Sequence, residues 1–260
     1  MRKSKALAKL RQGKPILLAQ MGYFIPPFVA HAAHAGFDAI WLDMEHRAWD
    51  DREVQALMPY FHLYDIDCLI RPATREKAPL YRYLEDGASG LIIPHVSNVD
   101  TARDLVSKVR FPPLGDRGIE GNSLETNFGI ETGIADHAND ETLLIVQIET
   151  LEALRNVEAI AEVEGIDGLY IGPGDLGLRM AQEPEANRLS IEEVMQRVAA
   201  ACARNGKAWG NMPQVETMVE AQVALGAQLL VWGADITYLR AGLRTHAADL
   251  RRITHWDSDS

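Results

Sequence analysis

A chain of 260 residues with 26 basic and 37 acidic side chains carries a net charge of −11. Such a charge repels a phosphate backbone and leaves no basic stripe, which argues against a nucleic-acid partner. Its two cysteines, Cys68 and Cys202, lie in apolar segments without metal-like spacing, so they form no disulfide framework and read as reduced core thiols of a cytoplasmic protein.

The N-terminal stretch MRKSKALAKLRQGK is basic and lacks a continuous apolar core, so it is predicted to be a short amphipathic helix over about 2–11 rather than a secretion signal. Eight short apolar runs then recur along the chain: ILLAQMG (16–22), DAIWLDME (38–45), DCLIRP (67–72), GLIIPHV (90–96), LLIVQIET (143–150), GLYIGPGDL (168–176), AWGNMP (208–213) and QLLVWGADI (228–236). Their hydrophobicity is nearly continuous rather than alternating, as expected of parallel strands covered on both faces. Between them, stretches such as DTARDLVSKVR and SIEEVMQRVAAACARNG carry apolar residues at helical spacing. Eight strand–helix units in about 250 residues predict a (β/α)8 TIM barrel, a single domain over 1–260. No G-x-G-x-x-G follows the first strand, which argues against a doubly wound dinucleotide fold.

The segment 97–142, which includes FPPLGDRGIEGNSLETNFG, is too long for an ordinary connection and reads as a functional loop, with a domain linker as the alternative. No apolar run approaches the roughly 18 residues of a membrane span, and the tail THWDSDS reads as a frayed end.

Barrel enzymes build their sites at the C-terminal ends of the strands. Here strand two ends in Asp43, Glu45 and His46, strand three in Arg71, strand four in His95, strand five in Gln147 and Glu149, and strand six in Gly172, Gly174 and Asp175. Each has a bland reading: Arg71 as a surface ion-pair partner, Glu149 as a helix N-terminal acid, His46 as a structural imidazole. Five consecutive strands ending this way favour a site. Glu149 and Asp175, with no convergent cysteine or histidine set, suit a hard divalent cation, Mg2+ or Mn2+ ahead of Co2+ or Zn2+. Gly172 and Gly174 let backbone N–H groups approach a substrate carboxylate. Arg71 offers a permanent forked charge for a carboxylate or a developing enolate. His46 can move a proton near neutral pH, and Asp43 is placed to orient it if the turn folds back. Glu45 has no assigned role.

The stretches GFDAIWLDMEH, LIRP, FPPLGDRG, VQIET and VEGIDGLYIGPGDL, with the spacings between them, resemble the HpcH/HpaI family of metal-dependent pyruvate aldolases across residues 12 to 245. The resemblance implies a barrel of the phosphoenolpyruvate/pyruvate type, assembled as a hexamer with the C-terminal helix packed on a neighbouring subunit. It implies Glu149 and Asp175 as metal ligands, His46 as base, and Arg71 as the enolate-stabilising arginine. Gln147, the Gly174 backbone and Asp175 are the implied substrate contacts, and Glu85 matches an acid that raises the basicity of the histidine, although its position before strand four places it at the other end of the barrel. Retro-aldol cleavage of a 4-hydroxy-2-oxo acid to pyruvate and an aldehyde is the implied reaction.

The chain departs from relatives in several places. The loop IEGNSLETNFG lacks an Arg- and Trp-containing stretch, strand one ends in the bulky MGYFIPP, and His95 replaces an apolar residue. His95 is open between substrate contact and a hydrogen bond in the barrel mouth, while Trp232 and Asp235 read as structural. No lysine lies at the strand ends, which argues against a Schiff-base aldolase. The alternatives are an oxaloacetate decarboxylase, an acyl-CoA lyase, for which no basic cluster is present to hold the CoA phosphates, and a non-catalytic barrel that binds a 2-oxo acid.

Overall fold

The computed structural model describes residues 2–254; the end of the tail read as frayed, 255–260, lies outside them. Helix α1 (Lys5–Arg11) precedes β1 (Ile16–Met21), and the chain then alternates: α2 (Pro26–His34), β2 (Ala39–Asp43), α3 (Asp51–Leu63), β3 (Asp67–Arg71), α4 (Lys77–Glu85), β4 (Gly90–Ile93) and α5 (Val99–Val109). It continues with α6 (Ile134–Glu141), β5 (Leu143–Ile148), α7 (Leu151–Arg155), α8 (Val157–Ala161), β6 (Gly168–Ile171), α9 (Pro173–Met180) and α10 (Ile191–Asn205). The last elements are β7 (Ala208–Asn211), α11 (Glu216–Ala224), β8 (Leu229–Ala234) and α12 (Asp235–Thr254). The eight strands are all parallel and close as β1 pairs with β8, so the predicted (β/α)8 barrel is the fold.

The absence of alternation in the strand sequences has a direct cause. Leu69, Ile92, Leu143, Ile145, Tyr170, Leu229 and Val231 fill the barrel interior with Trp41, whereas Cys68, Ile70, Leu144 and Val146 point outward into the layer beneath the helices. Both faces are dry, so both sets are apolar. Cys68 and Cys202 are buried free thiols, and desolvation pushes Cys202 up to about 12.

Local signals set the helix boundaries. Asp50 and Ser190 form capping boxes with Glu53 and Glu193 at the starts of α3 and α10, and Gly206 ends α10 in the left-handed region at φ 63°. Ser4 caps α1 by accepting from the Leu7 N–H at 3.0 Å. The same hydroxyl donates to the fully buried Asp67 carboxylate at 2.7 Å, which also accepts from Ala6 N at 2.8 Å and pairs with Arg2. Helix α1 therefore covers the N-terminal end of the barrel.

The long segment between β4 and β5 is no domain linker. Arg110 donates to Asp167 at 2.6 Å and to the Thr142 carbonyl at 2.7 Å, and Arg117 forms a completely buried ion pair with Glu125. The stretch around Glu125 lies against the end of α4, where the Glu85 carbonyl accepts from Glu125 N at 3.1 Å. It lines a crevice with Arg2, His62 and Ser89, at the end of the barrel opposite the strand C-termini.

Candidate active site

Parallel register brings the first pair of the site together. Strands β2 and β3 are aligned with Asp43 opposite Arg71, so the two side chains meet at the C-terminal rim. Arg71 Nε donates to Asp43 Oδ1 at 2.9 Å and Nη2 to Oδ2 at 2.7 Å, a two-pronged pair that is almost wholly buried. The guanidinium stacks over the Trp41 ring, 5.1 Å from its centroid. Its remaining nitrogen, Nη1, points into the mouth, 3.4 Å from Gln147 Oε1 and 3.0 Å from Glu45 Oε2.

This geometry corrects one expectation. Asp43 does not orient the His46 imidazole: Arg71 occupies both its oxygens, and Oδ1 also accepts from the backbone N–H groups of Glu45 and His46 at 3.2 and 3.3 Å. The turn does fold back, but it delivers main-chain donors. The His46 ring is 62% exposed and its charged neighbour is Glu45, with Nε2 3.5 Å from Oε2. Glu45, without a role in the sequence reading, stands between His46, Arg71 and His95.

His95 follows β4 with φ at 56°. Its backbone N–H donates to Glu149 Oε1 at 2.5 Å, its ring Nδ1 lies 3.0 Å from the same oxygen, and Nε2 lies 3.0 Å from Glu45 Oε1. Burial raises the Glu149 carboxyl above its ordinary value; the His95 N–H and ring oppose this, while the neighbouring Glu45 and Asp175 charges add to it. Asp175, in the first turn of α9, is partly exposed and paired with Arg179 at 3.2 Å. Arg179 also donates to the backbone carbonyls of Glu149 at 3.3 Å and Asp175 at 3.0 Å, tying the ends of β5 and β6 together.

A cavity of about 310 Å3 is lined by His46, Arg71, Gln147, Glu149, Gly172, Gly174 and Asp175, with Trp41 and Tyr170 at its floor. Gly172 leaves no room for a side chain, because a Cβ there would lie 2.8 Å from Glu149 Cβ as well as 2.6 Å from its Oε2. Glu45, His95 and Glu149 each offer a ligand atom within 4.8 Å of the others. Two carboxylates and an imidazole, with a third carboxylate at the cavity edge, are a donor set that fits a divalent cation.

Glu85 is not brought to this cavity within the chain. It ends α4, and helices in this fold run antiparallel to the strands, which places it at the opposite end beside Glu125. Burial, with Glu125, Glu120 and Asp86 nearby and Arg117 opposing, raises its carboxyl to about 7. Asp235 accepts from the Gly22 and Tyr23 N–H groups, both at 2.9 Å, and so fastens the exit of β1 to α12. Sequence reading missed Arg179, Trp41 and Tyr170 as parts of the site. Arg179 had a usable signal in its i,i+4 spacing from Asp175; the two aromatics look like any other core residue.

Known proteins are similar to the chain along most of its length. The family model described as HpcH/HpaI aldolase/citrate lyase matches residues 23–241. A hydroxypyruvate/pyruvate aldolase of Pseudomonas aeruginosa is 35% identical over 247 residues, covering 91% of this chain and 88% of that protein. A 4-hydroxy-2-oxo-heptane-1,7-dioate aldolase of Salmonella arizonae is 33% identical over 245 residues, covering 92% and 91%. The crystal structure of an HpcH/HpaI aldolase from Desulfitobacterium hafniense superimposes with a TM-score of 0.86 at 27% identity, covering 94% of this chain and 95% of that one. The chain belongs to the HpcH/HpaI aldolase/citrate lyase family and is a carbon–carbon lyase.

Proposed function

We propose that the chain is a divalent-metal-dependent aldolase that cleaves or forms 4-hydroxy-2-oxo acids, with pyruvate or a close 2-oxo acid as the enolate partner and an aldehyde as the other. The observation that carries this reading is the Asp43–Arg71 pair, which aims one guanidinium nitrogen past Gln147 into a cavity bordered by Glu149 and Asp175. A preorganised, desolvated cation is what a developing enolate requires. Glu149 and Asp175 would hold the divalent ion, which when bound polarises the 2-oxo group. Where carboxylates alone set the choice, the ion is Mg2+ or Mn2+.

The chain's own residues supply the rest. Arg71 pairs with the charge that builds on the enolate oxygen, and Asp43 holds it in place. The backbone N–H at Gly174 receives the substrate carboxylate, while that of Gly172 is taken by the Ile148 carbonyl at 3.1 Å. His46, exposed at the rim with Glu45 beside it, takes the hydroxyl proton in cleavage and returns it in synthesis. The site suits small substrates, since about 310 Å3 is at the lower end of ligand pockets. Decarboxylation of oxaloacetate yields the same enolate and is the expected side reaction.

We place the enzyme in the cytoplasm, in keeping with its two buried free thiols, and read it as a homo-oligomer on the strength of α12. Ile236, Leu239, Leu243 and Leu250 share one face of that helix and are exposed. Among the described residues no helix is long and apolar enough to cross a membrane.

The test is exchange of pyruvate methyl protons with solvent by protein stripped with chelator and resupplied with Mg2+, Mn2+ or Co2+. Metal-dependent exchange is expected, and its absence with every ion overturns the reading. Exchange without oxaloacetate decarboxylation marks a dedicated aldolase.

A further inference from the structure

Two carboxylates at strand ends account for a hard-cation site, and they leave His95 without a task. Its placement is unusual on three counts. The residue sits in the left-handed region, which costs a residue with a Cβ and persists only where the surroundings enforce it. Its main chain is held from both sides: the N–H donates to Glu149, and the carbonyl accepts from Arg75 Nη1 at 3.0 Å. The ring, 43% exposed at the barrel mouth, then spans two carboxylates from different strand ends, with one nitrogen 3.0 Å from Glu149 and the other 3.0 Å from Glu45.

Glu45 adds an independent observation. Its Oε2 is buried and has no hydrogen bond; the Arg71 nitrogen 3.0 Å away lies off the hydrogen-bond direction. A largely buried carboxylate, ion-paired to Arg71 but with that oxygen outside any hydrogen bond, thus faces an imidazole and a second buried carboxylate, and the three offer ligand atoms within 4.8 Å of one another, a grouping that suits a cation.

We propose that His95 is a nitrogen donor to the divalent ion of this site, acting with Glu149 and with Glu45 as the adjoining carboxylate. The inference rests on the metal-dependent reading above and deepens it in one respect, the choice of ion. An imidazole ligand favours borderline ions such as Co2+, Ni2+ and Zn2+, whereas Mg2+ gains little from exchanging an oxygen for nitrogen. His95 therefore shifts the selectivity of an otherwise all-oxygen site toward the borderline ions.

The experiment is calorimetric titration of chelator-stripped protein with Co2+, Zn2+ and Mg2+ separately, for the wild type, His95→Asn and His95→Gly. Asparagine and glycine both accept the left-handed backbone, so the main chain is preserved while the imidazole is removed. Thermal melts of the metal-free proteins check folding. The expected result is a loss of at least about tenfold in Co2+ and Zn2+ affinity in both variants, with Mg2+ affinity changed much less. Cu2+-loaded wild type is expected to show an imidazole-nitrogen coupling in pulsed electron paramagnetic resonance that His95→Asn loses and His46→Gln retains. Equal Co2+ and Zn2+ affinities in wild type and variants, or a nitrogen coupling that survives in His95→Asn, overturns the assignment. In that case Mg2+ or Mn2+ binding that disappears in Glu149→Gln leaves the metal-dependent reading intact. Failure of the wild type to bind any of these ions overturns both.

Discussion

Arg71 is held by contacts that lysine cannot reproduce: two parallel hydrogen bonds to Asp43 and a stacked face on Trp41. Arg71→Lys keeps the charge and loses the fork, so kcat is expected to fall about 10²- to 10³-fold, the range for losing one oriented transition-state donor, while metal affinity measured by titration stays unchanged. Glu85 leads to a different expectation. Its ordinary value is 4.5 and its folded value about 7, so between these the unfolded chain has released the proton that the folded protein retains. Stability contributed by this group is full below 4.5, falls as pH rises to about 7 and is level above it. Glu85→Gln is expected to flatten that decline, with its largest gain over wild type above pH 7, as read from urea midpoints between pH 4.5 and 8. The rim positions from Asp43 to Asp175 were legible because side-chain types that move protons or bind cations are out of place at the ends of apolar runs. The partner of Asp43 was not legible, because it depends on which residue of the next strand stands opposite.

The elements themselves were readable from periodicity, capping residues and glycines. The role of α1 was not, since amphipathic patterning does not say which surface a helix meets. That surface is the N-terminal end of the barrel, and the contact is polar: the fully buried Asp67 carboxylate receives Ser4, the Ala6 N–H and Arg2. Asp67→Ala removes one partner of a buried charged network and is expected to cost about 3–5 kcal/mol in urea unfolding. Activity per folded molecule should be retained, because this end is remote from the cavity; a loss below about 1 kcal/mol would show that α1 contributes little. The loop between β4 and β5 poses the same difficulty at greater length. Its glycines and prolines announce a loop, but it is the bonds from Glu125 N–H to the Glu85 carbonyl and from Arg110 to Asp167 that show it folding beneath the barrel.

At the scale of the whole molecule, α12 carries an apolar stripe that is exposed among the described residues. Leu239 and Leu243 are 53% and 63% exposed. If copies of the chain pack on this stripe, Leu239→Asp with Leu243→Asp is expected to lower the mass in size-exclusion chromatography with light scattering, leaving far-ultraviolet circular dichroism in place. An unchanged mass would remove the helix from the assembly. The sequence by itself determined the barrel, because eight apolar runs at this spacing can be buried on both faces in few other ways. It also determined which rim residues were available for chemistry. Only the tertiary structure decided how they combine, with Asp43 on Arg71 and Glu45 between two histidines. Those pairings follow from strand register and helix direction, which join residues distant in the chain and leave no mark in local composition.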